Sequence, residues 1–182
     1  MKNMTKKNII LPLLLIFLIF LIYYGKYSIN DSNKSIEYYL VKNNYINSKD
    51  ISIQKQIIIK DMKIVIFKCD GALLQYALFQ KGLNGKYQFI HITSKNDLMC
   101  ISVIEKIKND YYLVSLGYNP QNNLYINTTL SPAHFPNKKI NEFFNIKNEK
   151  YFIKYKVIND QTKYNYGVSN YNMDNFNKIT KW

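Results

Sequence analysis

The chain predicts an α+β fold: an N-terminal transmembrane helix, then a short helix packed on an antiparallel meander sheet of about six to eight strands. Three observations carry this expectation. A charge-free apolar run fills residues 9–24, one short segment shows the three-and-four spacing of an amphipathic helix, and most of the remainder alternates apolar and polar residues between turn dipeptides.

The apolar run begins Ile9, Ile10, Leu11 and Pro12. It continues through Leu13, Leu14, Leu15, Phe17 and Phe20 to Ile22, and closes with Tyr23 and Tyr24. No charge lies between Lys7 and Lys26. At roughly 1.5 Å per residue the sixteen residues from Ile9 to Tyr24 reach about 24 Å, slightly short of a hydrocarbon core of about 30 Å. Local thinning and snorkelling lysines can absorb such a mismatch. Pro12 is expected in the first helical turn, where its missing N–H costs little, and the tyrosines suit the far interface. A cleaved secretory signal is the competing reading, but Tyr23, Tyr24, Gly25, Lys26, Tyr27 and Ser28 offer no pair of small residues for a peptidase. Three lysines, Lys2, Lys6 and Lys7, precede the run and Lys26 alone follows closely, which directs the N-terminus to the cytoplasm. The expected organisation is therefore a cytoplasmic tip and transmembrane anchor over residues 1–26, and a single extracytoplasmic domain over residues 27–182.

Composition narrows the partners. The formal charge is +13, and from Tyr27 onward 21 lysines face 12 acids, a balance of +9. All 25 basic residues are lysine, so the planar guanidinium that reads guanine edges is absent, and the lysines are scattered rather than striped. A specific nucleic-acid partner is not expected. Attraction to the membrane, to anionic lipid or to wall polymer is.

Taken in order, Tyr27 to Asn33 reads as a short polar tether. A helix follows, capped by Ser32 or Asn33, with Ile36, Tyr39 and Leu40 on one face and Asn43-Asn44 at its end. Ile51, Ile53, Ile57 and Ile59 then share one face of a strand, opposite Ser52, Gln54 and Gln56. Ile64 to Phe67 is apolar on both sides, the mark of a central strand. Asp70-Gly71 separates it from the run Ala72 to Phe79, and Asn84-Gly85 separates that run from Tyr87, Phe89, Ile90 and Ile92. Both dipeptides predict type I′ hairpins, which need positive φ at two residues. Leu98 to Ile107, Tyr111 to Leu116 and Leu124 to Thr129 extend the meander. After the loop Ser131 to Pro136, Asn137 is expected to cap a short helix carrying Ile140, Phe143 and Phe144. Tyr151 to Val157 alternates as a strand, and a further strand is expected near Tyr164 to Val168.

The runs Ile36-Glu37-Tyr38-Tyr39-Leu40 and Lys81-Gly82-Leu83-Asn84-Gly85-Lys86-Tyr87 resemble small single-pass membrane-anchored proteins of low-GC Gram-positive bacteria. The resemblance covers about a third of the chain. It implies location and architecture and carries no activity.

Chemistry-bearing residues are few. Cys69 and Cys100 are the only cysteines; in a regular meander three strand steps of about 4.8 Å keep them roughly 14 Å apart, beyond the 7 Å or so a disulfide tolerates. His91 and His134 form no close ligand pair with either cysteine, so no metal or other cofactor is expected. Asp70 reads as a turn residue, and Asn127-Thr128-Thr129 as a chance glycosylation sequon in an Asn-rich chain. Seventeen tyrosines could line a stacking groove for a glycan, but strand packing accounts for them more simply. The expected function is thus a membrane-anchored, non-enzymatic module that binds a protein, peptide or envelope component at the membrane surface. The alternatives are an envelope hydrolase built from Asp70, His91 and Cys100, or a secreted basic domain if the leader is cleaved.

Overall fold

A strand that is apolar on both faces must be covered twice, and two strands of this chain are buried along nearly their whole length. That requirement decides the layering. The computed structural model describes residues 6–43, 50–69, 73–93, 100–132, 140–158 and 166–173. It comprises α1 (Lys6–Lys26), α2 (Asn33–Lys42), β1 (Ile51–Ile59), β2 (Met62–Cys69), β3 (Leu73–Lys81), β4 (Tyr87–Thr93), β5 (Cys100–Ile107), β6 (Asp110–Tyr118), β7 (Tyr125–Pro132), β8 (Ile140–Asn145), β9 (Tyr151–Ile158) and β10 (Tyr166–Met173).

These ten strands do not form the single meander that turn dipeptides suggest. They form three antiparallel sheets, ordered β1-β2-β3-β4, β5-β6-β9 and β10-β7-β8. The first sheet packs α2 on one face: Ile36 and Leu40 meet Val65, Phe67, Ala77, Phe79 and Tyr87. Its other face packs on the second sheet, with Ile64, Ile66, Leu74 and Leu78 against Val114, Leu116 and Ile153. The second sheet in turn covers the third through Phe152 and Ile126. β2 and β6, buried on both faces over most of their length, are accordingly interior strands of the first and second sheets, as double-faced burial requires.

Between the second and third sheets lies a buried hydroxyl triangle. Ser102, Ser115 and Thr128 hydrogen-bond one another at 2.6, 3.1 and 3.0 Å. Each hydroxyl has polar company where water is excluded, so the small polar side chains are tolerated in the core.

Several local expectations change. The four isoleucines expected on one face of β1, Ile51, Ile53, Ile57 and Ile59, do not share it, because the β1–β2 register shifts between Ile53 and Lys55. Ile51 and Ile53 pack toward α2, whereas Ile57 and Ile59 pack toward the second sheet. One extra residue in a period-two strand inverts every side chain beyond it. The helix expected after Asn137 is the strand β8, paired with β7 from Leu130↔Ile140 to Tyr125↔Asn145. Ile140, Phe143 and Phe144 are too few to distinguish a helical from an extended period, and ladder pairing wins. The Asn84-Gly85 turn has positive φ at Gly85 alone, 77°, rather than at both central residues. The Asp70-Gly71 turn lies outside the described residues, although Cys69 and Leu73 pair on either side of it.

Helix α2 follows expectation: Ser32 is its N-cap, accepting from the Ser35 N–H at 3.2 Å, and Ile36 and Leu40 are buried. The tether does not. Ile29 is buried and forms a β-bridge with Tyr87, so the chain leaving α1 is bound to the edge of the first sheet.

The transmembrane helix is the largest correction. Among the described residues no helix is long and apolar enough to cross a membrane. The apolar run reaches about 24 Å against a hydrocarbon core of about 30 Å, and the mismatch that thinning and snorkelling were expected to absorb stands as a shortfall. Pro12 also lies inside α1, which begins at Lys6, and not in its opening turn.

Candidate functional site

The α1 helix and the turn it touches are the features that packing alone does not account for. From Ile10 to Ile22 every aliphatic or Phe side chain is more than half exposed. A helix of a water-soluble domain shows a polar face, and this one has none between Lys7 and Lys26. Of the residues assigned to the anchor, Leu13, Leu14, Leu15, Phe17 and Phe20 are all exposed, Tyr24 is exposed and Tyr23 is half-buried. Ile9, Lys6 and Lys7 belong to the opening turns of α1, and Lys2 lies outside the described residues.

Tyr23 is half-buried because it meets the β3–β4 turn. Its hydroxyl accepts from the Leu83 N–H, and Asn84 Nδ2 donates to the Tyr27 carbonyl at 2.9 Å. Gly82 makes the approach possible: a Cβ there would lie 2.5 Å from the Tyr27 ring and 2.7 Å from the Tyr23 hydroxyl. Burial, with Tyr23 and Asp61 nearby, pushes the Tyr27 phenol up. Two residues on, the Ile29–Tyr87 bridge carries backbone hydrogen bonds of 3.0 and 2.8 Å. Asp31 then pairs with Lys63, whose side chain is only 2% exposed and whose ammonium lies 4.7 Å from the centre of the Tyr87 ring. Helix and body are thus joined by a continuous set of contacts, not a loose linker.

The register places three turns at this same end. Ile59↔Met62 brackets the β1–β2 turn, Met62↔Gln80 puts the β3–β4 turn beside it, and Ile107↔Asp110 brackets the β5–β6 turn. Cross-sheet pairs of Lys60 with Asp110 and Lys108 with Asp61 tie the first turn to the third. Lys26, Lys60, Lys81, Lys86 and Lys108 therefore stand at the end of the body next to α1, against Asp61 and Asp110. That end is net basic. Leu83, at the tip of the β3–β4 turn, is 98% exposed.

The opposite end carries two half-buried tyrosines, Tyr118 and Tyr151, and they are already engaged. Tyr118 and Tyr151 face each other across β6 and β9 with ring centres 5.2 Å apart, and the Lys68 ammonium lies 5.3 and 5.6 Å from their centres. Tyr76, Tyr87 and Tyr112 are core residues. These five rings serve packing.

Of the residues of the hydrolase alternative, the two described ones, His91 and Cys100, do not come together. Asp70 and His134 lie outside the described residues. His91 Nε2 meets Glu105 Oε1 at 3.5 Å, and the Tyr76 hydroxyl donates to the same oxygen at 3.4 Å. Cys100 is five residues from Glu105 along β5, about 17 Å of extended chain, and packs against Ile126, Ile146 and Phe152. Burial pushes its thiol up to about 12, so it is protonated and inert near neutrality. Cys69 sits in the α2 core instead, and the two cysteines are not bridged. The Asn127 sequon is on buried β7, where the folded chain gives a glycosyltransferase no access.

The Glu105 hydrogen bond holds the His91 imidazolium above its usual value, with burial opposing. A raised folded value stabilises the protein fully below the ordinary histidine value near 6.5 and loses that contribution as pH climbs through the raised one. The urea midpoint should therefore fall modestly as pH rises through that window, and His91→Gln should flatten this part of the profile. An unchanged profile in the variant would remove His91 from the account.

Sequence reasoning found α1 and its flanking lysines but missed Leu83, Asp31 and Lys63. One signal was present for the first: a lone leucine between Gly82 and Asn84-Gly85 is an apolar residue where turn chemistry wants a polar one. Comparison with protein-family models, with curated proteins and with solved structures finds no match.

Proposed function

We propose that this chain is a membrane-associated, non-enzymatic binding module. Helix α1 is buried in lipid, and the β-rich body sits at the surface, free to bind a protein, peptide or envelope component. The observation that supports this is the all-round exposure of the aliphatic and Phe side chains from Ile10 to Ile22. Removing one such side chain from water is worth about 1.5–3 kcal/mol. A dozen of them far outweigh the freedom lost on partitioning. The all-round apolar chemistry of α1 also favours lipid over a protein groove, since a groove would cover one face and leave the others wet. The lysines of the adjoining end add attraction to anionic headgroups.

Vesicle flotation tests the reading. The full chain, diluted from detergent onto vesicles, should float with the lipid fraction. The Leu14→Lys/Phe17→Lys variant should float at least tenfold less. Full-length protein that stays dispersed at the bottom of the gradient, with vesicles present, would overturn the proposal.

A further inference from the structure

The β3–β4 turn is built as though for the same solvent as α1. Leu83 has no apolar neighbour covering it, yet it does not point at random. Its N–H is held by the Tyr23 hydroxyl, and its side chain shares a cleft of about 360 Å³ with Ile16, Phe20 and Tyr24. Ile16 lies seven residues before Tyr23, about 10 Å along the helix axis. Leu83 thus borders, beside Tyr23 and Tyr24, a cleft whose walls include the aliphatic and Phe residues that precede that pair on α1. Lys81 and Lys86 flank the tip, both exposed, and Lys26 stands at the end of α1. The resulting order along the helix axis is aliphatic, aromatic, basic. A bilayer presents the same order as hydrocarbon, interface and anionic headgroup.

Resting on the reading that α1 is buried in lipid, we propose that the β3–β4 turn is a second membrane contact. Leu83 enters the acyl region beside α1, while Lys26, Lys81 and Lys86 meet anionic headgroups. The occupant of the α1–Leu83 cleft is then an acyl chain of an anionic lipid bilayer. The consequence is a fixed pose. Because Tyr23, Asn84 and the Ile29–Tyr87 bridge lock the body to α1, the end bearing the three turns faces the membrane, and the end bearing Tyr118 and Tyr151 faces away.

Depth-dependent fluorescence tests this on the full chain. Trp182 is the only tryptophan. In a Trp182→Phe background, Leu83→Trp and Phe20→Trp report the turn and the helix separately, and circular dichroism checks that both fold. In vesicles of phosphatidylcholine and phosphatidylglycerol, lipids brominated on the acyl chains should quench both probes. The Leu83→Trp probe should lose at least half its quenching in phosphatidylcholine alone, or when Lys81 and Lys86 are both changed to Glu. A quenched helix probe with a turn probe open to aqueous acrylamide would overturn this inference alone. A helix probe that bromine does not quench would overturn the reading beneath it. Quenching of the turn that is indifferent to lipid charge would overturn the headgroup contact.

Discussion

Leu78→Ala should cost about 3 kcal/mol of stability, measured as a lowered urea midpoint with an unchanged slope in mild detergent. Leu78 is fully buried between the first and second sheets, among Ile64, Ile66, Val114 and Leu116. Truncating a leucine in such a place loses the transfer energy of the removed carbons and leaves a cavity that two facing sheets close only partly, together about 2–5 kcal/mol. Domains of this size are stable by roughly 5–15 kcal/mol, so this one change would remove a large share. Leu83→Ala supplies the contrast. The same substitution at a 98% exposed position should move the midpoint by no more than about 0.5 kcal/mol. A Leu78→Ala cost below about 1 kcal/mol would mean that the two sheets do not pack as described.

Asp31→Ala should destabilise by about 2 kcal/mol, and Lys63→Met by less than about 1 kcal/mol, although each breaks the same ion pair. The asymmetry comes from burial. Lys63 is 2% exposed and Asp31 46%. Removing Asp31 strands an ammonium that water reaches poorly, with the Tyr87 ring as partial compensation. Solvent screening around the half-exposed carboxylate brings the cost below the 3–5 kcal/mol or so of a fully buried pair. Removing Lys63 instead leaves Asp31 to water and places an unbranched apolar side chain in an apolar site. Chemical denaturation of the two variants decides the matter, and a Lys63→Met cost exceeding that of Asp31→Ala would reverse the argument. The pair also has a positional role, since it holds residue 31 and hence the entry to α2 against the first sheet.

Much of the local structure was legible. The Ser32 cap and the buried Ile36 and Leu40 follow from the three-and-four spacing, and the double-faced burial of β2 follows from its uninterrupted apolar run. The strand near Tyr164 to Val168 is present as the start of β10. The missed features share one cause. A bulge near Gln54 leaves no mark in a pattern of alternating isoleucines, because each isoleucine is equally content on either face of a sheet covered twice. The replacement of a single meander by three sheets is invisible for the same reason: turn dipeptides specify which strands are adjacent in the chain, not where a sheet ends. The candidate site divides likewise. The exposed helix was plain from composition, whereas Leu83 gained its meaning only from standing beside Ile16 and Phe20.

The amino-acid sequence by itself determined that residues 9–24 would form an uncharged apolar helix, that the body would be rich in antiparallel strands, and that lysine without arginine would set its charge. Those are one-dimensional properties, carried by hydropathy, period and count. Only the tertiary structure decided that the ten described strands divide into three stacked sheets, that Asp31 and Lys63 meet across the start of α2, and that Leu83 and the lysine-bearing ends of three hairpins gather at the foot of α1. Each depends on contacts between residues far apart along the chain. Their energies come from burial, which no local pattern records.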